Sequence, residues 1–312
     1  MSTAPRVSAV IPAYNAAAWI GETLESVFAQ DHDPLEVIVV DDGSTDGTAT
    51  EVARFGGRAR CVQQVNSGQA AARNRGVAAS RGEFVAFLDS DDLWLPGKTA
   101  AQVALLEARP AASLVFCDYA SFGDETKPAG FDRAPVLRSL AALPIDVHGR
   151  EIQADLLAPL LRDMFCQIPT TWMVRRSAFD RIGGFDERLR RGGEDWLLAA
   201  RLALVGPFVY DDRVLARRRE RAGSHSRSND EQVGLAMALD RLLETDLPSV
   251  AARTVGSQLA PMALNLARRA SASHDRAAAQ QWLKTAARTA RWLPPLRQVR
   301  LRARLLLAGA GY

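Results

Sequence analysis

Hydrophobic positions along the chain fall into two alternating patterns. Residues 7–11 form a short β-rich apolar run that stops at Pro12, and residues 35–40 (LEVIVV) form a second. Between them Ile20, Leu24, Val27 and Phe28 recur at helical spacing and share one face, the pattern of a helix that covers a sheet. The alternation continues with a helix over 48–55, a strand over 60–65, a small-residue helix over 69–80, a strand over 83–88, a helix over 98–107 and a strand over 113–117. Continuous apolar strands interleaved with helices predict a mostly parallel sheet covered on both faces. In such a sheet the ligand lies at the carboxyl ends of the strands. Those ends carry residues 12–15, Asp41-Asp42, Asn66-Ser67-Gly68 and residues 89–92, so polar groups collect where a site belongs.

The pattern loosens after residue 120. Residues 122–144 read as loop, 151–164 as a helix and 171–175 as a strand, and Gly192-Gly193-Glu194-Asp195 opens a helix that runs to residue 204. From about residue 230 the chain is rich in Ala, Leu and Arg and reads as helical throughout, which places a boundary near 226–230. No repeat with a period of ~20–50 residues occurs, so a solenoid is unsupported.

Composition narrows the classes. With 312 residues and 47% hydrophobic content the chain can bury a large core, and its net charge of +3 is too small to imply nucleic-acid binding. The distribution of charge says more: between Lys284 and Arg304 there are seven Lys or Arg and no acid. A helix there can lie on anionic lipid or pack on its own domain with the arginines in solvent, and both readings stand. Cys61, Cys117 and Cys166 lack metal-ligand spacing and read as buried free thiols in a reducing compartment. The start of the chain does not resemble a signal peptide, and no run of ~18 apolar residues suggests a spanning helix, so the expected location is the cytoplasm, including the inner face of the cell membrane. Gly97-Lys98-Thr99 mimics the end of a phosphate-binding P-loop, but the position that needs the first glycine is Asp92.

Asp89-Ser90-Asp91 is the sharpest chemical feature. It ends an apolar strand, where carboxylates suit a hard divalent cation that also holds phosphate oxygens; its plain alternative is a solvated turn. Asp41-Asp42-Gly43-Ser44 also follows a buried strand; an Asx turn capping the helix at Thr45 to Thr48 and an acceptor for a base or ribose are compatible readings, one for each Asp. Arg73 can neutralise phosphate. Glu194-Asp195 opens a helix, where acids are favoured in any case, and either carboxylate could act as a general base toward a hydroxyl.

Taken together, VSAVIPAYNAAAWIGETLESVFAQ, LEVIVVDDGSTDGT, NSGQAAARNRG, GEFVAFLDSDDLW, FDRIGGFDERLRRGGEDWLLAARLA and VLARRRERAGSHS resemble, in order and spacing, the family 2 inverting glycosyltransferases. The resemblance covers roughly the first 226 residues. It implies a GT-A fold over residues 1–228, with 229–312 as a helical appendage. It also implies a nucleotide-sugar donor, UDP before thymidine or guanosine diphosphates, and a glycan or lipid-linked acceptor. Pro12, Ala13 and Tyr14 would line the nucleotide site and Asp41 would contact the base. Asp42, Asn66, Gly68 and Arg73 would complete the pocket, and Asp89 would contact the ribose or donor sugar. Asp91 would be the main ligand of Mn²⁺ or Mg²⁺, with Asp89 beside it and Asp92 nearby. Asp195 would be the catalytic base and Glu194 its neighbour toward the acceptor. Arg219 and Ser224 would belong to a segment that closes over the diphosphate. The chain departs from the pattern at Arg221, where a histidine is usual, and in its helical C-terminal stretch. A catalytically silent nucleotide-sugar-binding module is the alternative, opposed by the intact acid pairs.

Overall fold

The computed structural model describes residues 6–31, 35–123, 150–152, 160, 166, 168–190, 192–220, 231–299 and 301. The chain divides into two compact units, one of residues 1–190 and 198–225, the other of residues 191–197 and 226–312.

The first unit is built on a sheet of nine strands. Its amino-terminal half is parallel: β1 (Val7–Ala13) lies between β2 (Leu35–Asp41) and β4 (Phe84–Phe87), and β3 (Arg60–Gln63) forms the edge beyond β2. Parallel neighbours need crossovers, and α1 (Ile20–Phe28), α2 (Thr48–Ala53) and α3 (Gln69–Ala79) supply them. The strand order 3-2-1-4 reverses direction at β1, and the crevice between the carboxyl ends of β1 and β4 is where this topology holds a ligand. Side chains alternate across the sheet, so Val7, Ala9 and Ile11 enter the core layer under α1 while Val10 enters the opposite layer with Val85 and Phe87.

Two helices show why their sequences are as they are. In α1 the buried residues are Ile20, Leu24 and Val27, as the spacing predicts, together with Thr23; Phe28, the fourth residue of the expected face, is half-buried against the core. In α3 a Cβ on Gly76 would stand 2.4 Å from Val10 Cγ1 and 3.2 Å from Val40 Cγ2. The small residues of that helix let its backbone lie directly on β1 and β2.

The carboxyl-terminal half of the sheet is not parallel throughout. β8 (Trp172–Arg175) runs antiparallel to β4 and to β6 (Leu114–Phe122). β9 (Phe208–Arg219) is parallel to β6 but antiparallel to β5 (Leu93–Trp94) and to β7 (Arg150–Ile152). The expectation of a mostly parallel sheet therefore holds for the first half, and the whole is mixed. Periodicity did not reveal β9 because Asp211, Asp212 and Arg213 interrupt it. The register shifts opposite these residues, between Cys117 and Tyr119, and Asp211 turns back to accept hydrogen bonds from Arg213. The helix expected over 151–164 begins instead as strand at Glu151 and Ile152; most of its remainder lies outside the described residues. α4 (Lys98–Ala108) and α5 (Arg176–Arg181) complete the described helices of this unit, apart from α6 (Glu194–Ala203), whose first turn groups with the second unit. Cys117 and Cys166 are buried free thiols, whereas Cys61 is exposed because β3 is an edge strand. Burial pushes the Cys117 thiol up to about 12, which leaves it inert.

The second unit is helical: α7 (Glu231–Leu242), α8 (Ser249–Ala272) and α9 (Arg276–Thr289). The Asp275 carboxylate caps α9 by accepting from the Ala278 N–H at 3.0 Å. Gly256 in α8 is small because Trp292 lies on it; a Cβ there would be 2.1 Å from the indole Cδ1. Leu259, Ala263, Leu266, Trp282 and Ala286 fill the interior.

Candidate active site

The acidic loop that follows β4 is held from several sides. The Asp89 carboxylate accepts from Arg73 Nη2 at 2.8 Å, and the Asp89 N–H donates to Thr170 Oγ1 at 3.2 Å. Arg73 is only 2% exposed, lies 5.3 Å from the Phe185 ring centroid and also donates to Gln69 Oε1. A guanidinium on the buried face of α3 is thereby fixed at the strand ends. The Thr23 hydroxyl faces the carbonyls of Ser90 and Asp92, each at 3.0 Å.

Asp92 has a different task from its neighbours. One carboxylate oxygen accepts the Arg219 N–H at 2.9 Å and the other accepts the Thr170 hydroxyl at 2.6 Å. Burial, and then the nearby charge of Asp89, push its carboxyl up to about 8. Arg219 also donates from Nε to the Asp91 carbonyl at 2.9 Å, pairs with Glu22 and rests its guanidinium 4.3 Å from the Phe122 ring centroid. Asp92 and Arg219 thus form the seat of the loop, and Asp89 and Asp91 are its half-buried rim.

That rim fits a hard divalent cation in donor chemistry. Asp89 and Asp91 carry carboxylates at the rim, Asp89 Oδ1 accepting from Arg73, and both oxygens of Asp92 accept from protein donors. Among the described residues no three His, Cys, Asp or Glu form a metal-holding group. An ion here would keep open positions for phosphate or water, the habit of Mg²⁺-like ions bound through one or two carboxylates.

At the ends of β1 and β2 the paired aspartates divide their work. Asp41 accepts the Ser44 N–H at 3.0 Å, an Asx-type turn, and Gln63 Nε2 at 3.4 Å. Asp42, 3% exposed, accepts Gln64 Nε2 and the N–H groups of Ser67 and Gly68, all at 2.8 Å. It therefore fastens the loop containing Asn66 and Gly68 to β2. Gly43, at φ +77°, permits that closeness, since a Cβ there would be 2.8 Å from the Asn66 nitrogen. Gly68, at φ +91°, occupies a backbone region that side chains disfavour as it opens α3. Asn15, at φ 49°, accepts the Thr45 N–H at 2.9 Å. Pro12 and Ala13 are buried at the end of β1, whereas Tyr14 beside them is 51% exposed and Asn66 is exposed.

Glu194 and Asp195 open α6 after Gly192 and Gly193, both at positive φ. Glu194 is 8% exposed; Asp195 is less buried, and its Oδ1 accepts the Trp196 N–H at 2.7 Å. Both belong to the second unit. Ser224 and Arg221 lie outside the described residues.

Several supporting residues escaped the sequence reading. Thr170 bonds partners about eighty positions away, which no local pattern reveals. Asp46, two residues before α2, accepts the Thr48 N–H at 2.9 Å in an Asx-type turn, and it also accepts the Ala17 N–H at 3.1 Å. Lys98 is fully buried, donates to Gln102 Oε1 at 2.7 Å and lies 4.4 Å from the Trp94 ring centroid, so it reaches no phosphate.

The chain is 38% identical over 128 residues to the putative teichuronic acid biosynthesis glycosyltransferase TuaG of Bacillus subtilis, covering 40% of this chain and 50% of that protein. In the first curated relatives the matched stretch spans 15% to 64% of their length. Residues 1–349 of S. aureus TarS, solved with UDP-GlcNAc, superpose with a TM-score of 0.70 at 20% identity, over 97% of this chain and 89% of that one. The mannosyltransferase PcManGT of Pyrobaculum calidifontis, solved with GDP-Man and Mn²⁺, gives 0.60 at 23% identity, over 99% and 87%. These similarities establish a GT-A fold. The model of glycosyl transferase family 2 matches residues 8–183, more than half of the chain, and the chain belongs to that family.

Proposed function

We infer that this protein transfers a sugar from a nucleotide diphosphate donor, a UDP-sugar first among them, to an acceptor hydroxyl with inversion, in the assembly of envelope polysaccharide or glycolipid. The observation that carries this reading is the rim of Asp89 and Asp91 at the β1–β4 crevice, with the buried Arg73 guanidinium 2.8 Å from Asp89. The loops ending β1 and β2 form a cradle suited to a nucleoside, with Tyr14 and Asn66 as its exposed groups; Asp41, itself 3% exposed, would accept from the base. Asp42 and Gly68 shape that cradle.

A divalent ion, Mn²⁺ or Mg²⁺, would be held by Asp91 and Asp89 and would neutralise charge on the departing diphosphate. Arg73 adds a fixed positive charge on the same side, already oriented by Gln69 and Phe185. Arg219 supports the loop from beneath. Asp195 takes the proton from the acceptor hydroxyl, with Glu194 toward the acceptor. The similarity to TuaG, named for teichuronic acid biosynthesis, supports a polysaccharide setting, and the TarS and PcManGT complexes support the donor class.

We place the reaction in the cytoplasm, with contact to anionic lipid through the basic C-terminal stretch. Leu296 and Val299 are 80% and 67% exposed and stand three positions apart beside exposed Arg297. No helix among the described residues is long and apolar enough to cross a membrane.

Donor hydrolysis and transfer, screened over UDP-, dTDP- and GDP-sugars, test the reading. EDTA should abolish turnover, Mn²⁺ or Mg²⁺ should restore it, and Asp91→Ala should not be rescued. Full turnover in chelator would overturn the metal role. Nucleotide-sugar binding without any turnover would favour the silent binding module.

A further inference from the structure

We propose that Thr170 is a positioning residue that sets the acidic loop in its metal- and diphosphate-binding geometry, and that a buried chain of polar groups behind it locks it in place. The inference rests on the functional reading above. Thr170 is fully buried, and its one hydroxyl serves both ends of the loop: it accepts the Asp89 N–H at 3.2 Å and donates to the Asp92 carboxylate at 2.6 Å. Asp91 lies between these two anchors. A hydroxyl that accepts on one side and donates on the other is the smallest group able to hold both, and valine, of the same shape, can do neither.

The backbone around Thr170 is itself fastened. Its carbonyl accepts the Trp94 indole N–H at 3.0 Å, and the next carbonyl, of Thr171, accepts Gln102 Nε2 at 2.8 Å. Gln102 in turn accepts from Lys98 Nζ at 2.7 Å, and Lys98 lies against the Trp94 ring. Trp94, Lys98, Gln102 and Thr171 are all buried. Polar groups placed so deep are costly unless each is satisfied, and here the satisfied chain ends on the loop that carries Asp89 and Asp91. Removal of groups that orient ligand carboxylates typically lowers metal affinity ~10–100-fold.

The experiment measures UDP affinity by calorimetry in EDTA and in Mn²⁺ for wild type, Thr170→Val and Thr170→Ser, with thermal unfolding of each metal-free protein. The readout is the ratio of the two affinities, which a general loss of stability would not change. Thr170→Val should lower that ratio ~10-fold or more with little effect on UDP affinity in EDTA, because the nucleoside cradle lies on other strands; Thr170→Ser, which keeps the hydroxyl, should restore it to within ~2-fold. A wild-type ratio in Thr170→Val, or equal losses in Val and Ser, would overturn the proposal while leaving the functional reading intact. A wild-type protein whose UDP binding ignores Mn²⁺ would remove the metal role on which this proposal rests, and the proposal with it. If Thr170→Val does not fold, Trp94→Phe takes its place. It keeps an aromatic ring in the core but removes the donor to the Thr170 carbonyl and part of the buried ring; the ratio of affinities, which packing loss alone would not change, should fall, and no change would overturn the proposal.

Discussion

Asp42 looks from its sequence position like a ligand-binding acid, but its contacts make it first a fastener, and the distinction is measurable without any ligand. Its two oxygens accept three donors at 2.8 Å, two of them backbone N–H groups of the loop that carries Asn66 and Gly68. In Asp42→Asn the amide oxygen can keep Ser67 and Gln64, but the amide nitrogen then faces the Gly68 N–H, donor against donor. One charge-assisted hydrogen bond is lost, worth ~1.5–3 kcal/mol, and the other two weaken to neutral strength, so the expected loss is about 3 kcal/mol. For a unit of this size that corresponds to a fall of roughly 6–12 °C in Tm. Asp41→Asn is the control. Asp41 accepts the Ser44 N–H at 3.0 Å and only a long contact from Gln63 at 3.4 Å, and an amide oxygen can keep the first. Its loss should stay near 1 kcal/mol or below, while UDP affinity falls if Asp41 meets the base. Urea unfolding of both variants without nucleotide decides the matter. A change below about 0.5 kcal/mol in Asp42→Asn, with UDP affinity reduced, would refute the fastening argument and move Asp42 into the ligand contacts.

Three further outcomes follow from other parts of the molecule. Burial holds Lys98 down from 10.5 to about 8. Between pH 8 and 10.5 the unfolded chain therefore binds more protons than the folded one, and stability rises with pH; the difference between wild type and Lys98→Met should shift by about 2 kcal/mol in favour of wild type from pH 7.5 to 9.5, measured by urea unfolding, and a flat difference would contradict the burial of a charged amine. Asp195→Asn should lower transfer ~10²–10⁴-fold with UDP–Mn²⁺ affinity unchanged; near-normal transfer would leave this carboxylate, which accepts the Trp196 N–H, as a helix-end group only and shift attention to Glu194. Replacing Arg291 and Arg297 by Ala should weaken co-sedimentation with phosphatidylglycerol vesicles ~25-fold, about fivefold per charge, and Leu296→Ser should weaken it further, whereas unchanged sedimentation would return the tail to a solvated face.

The sequence was legible where one physical demand acts over a short range. Strands buried on both faces must be continuously apolar, so β1, β2 and β4 stand out, and a helix lying on them must repeat every three to four residues, as Ile20, Leu24 and Val27 do. The ends of those strands follow from topology, which is why the acids of the crevice could be placed before any coordinates. β9 was illegible because two demands compete in it: Phe208–Tyr210 are buried, but Asp211–Arg213 form a charged bulge that breaks the period while keeping the strand. The acidic loop is hidden in a further way. Three aspartates within four residues, Asp89, Asp91 and Asp92, look alike in sequence, and what separates rim from seat is the partner each one meets. Asp92 meets the Arg219 N–H and the Thr170 hydroxyl, Asp89 meets Arg73, and these partners come from elements placed far apart along the chain. Lys98 makes the same point from the other side: a lysine after a glycine invites a phosphate-binding reading, yet the helix it begins turns it inward onto Trp94 and Gln102. Residue type and spacing therefore identify which groups the fold can bring to a crevice. Which partner each of them meets is decided by long-range hydrogen bonds, so the division of labour among the acids is a property of the fold as a whole.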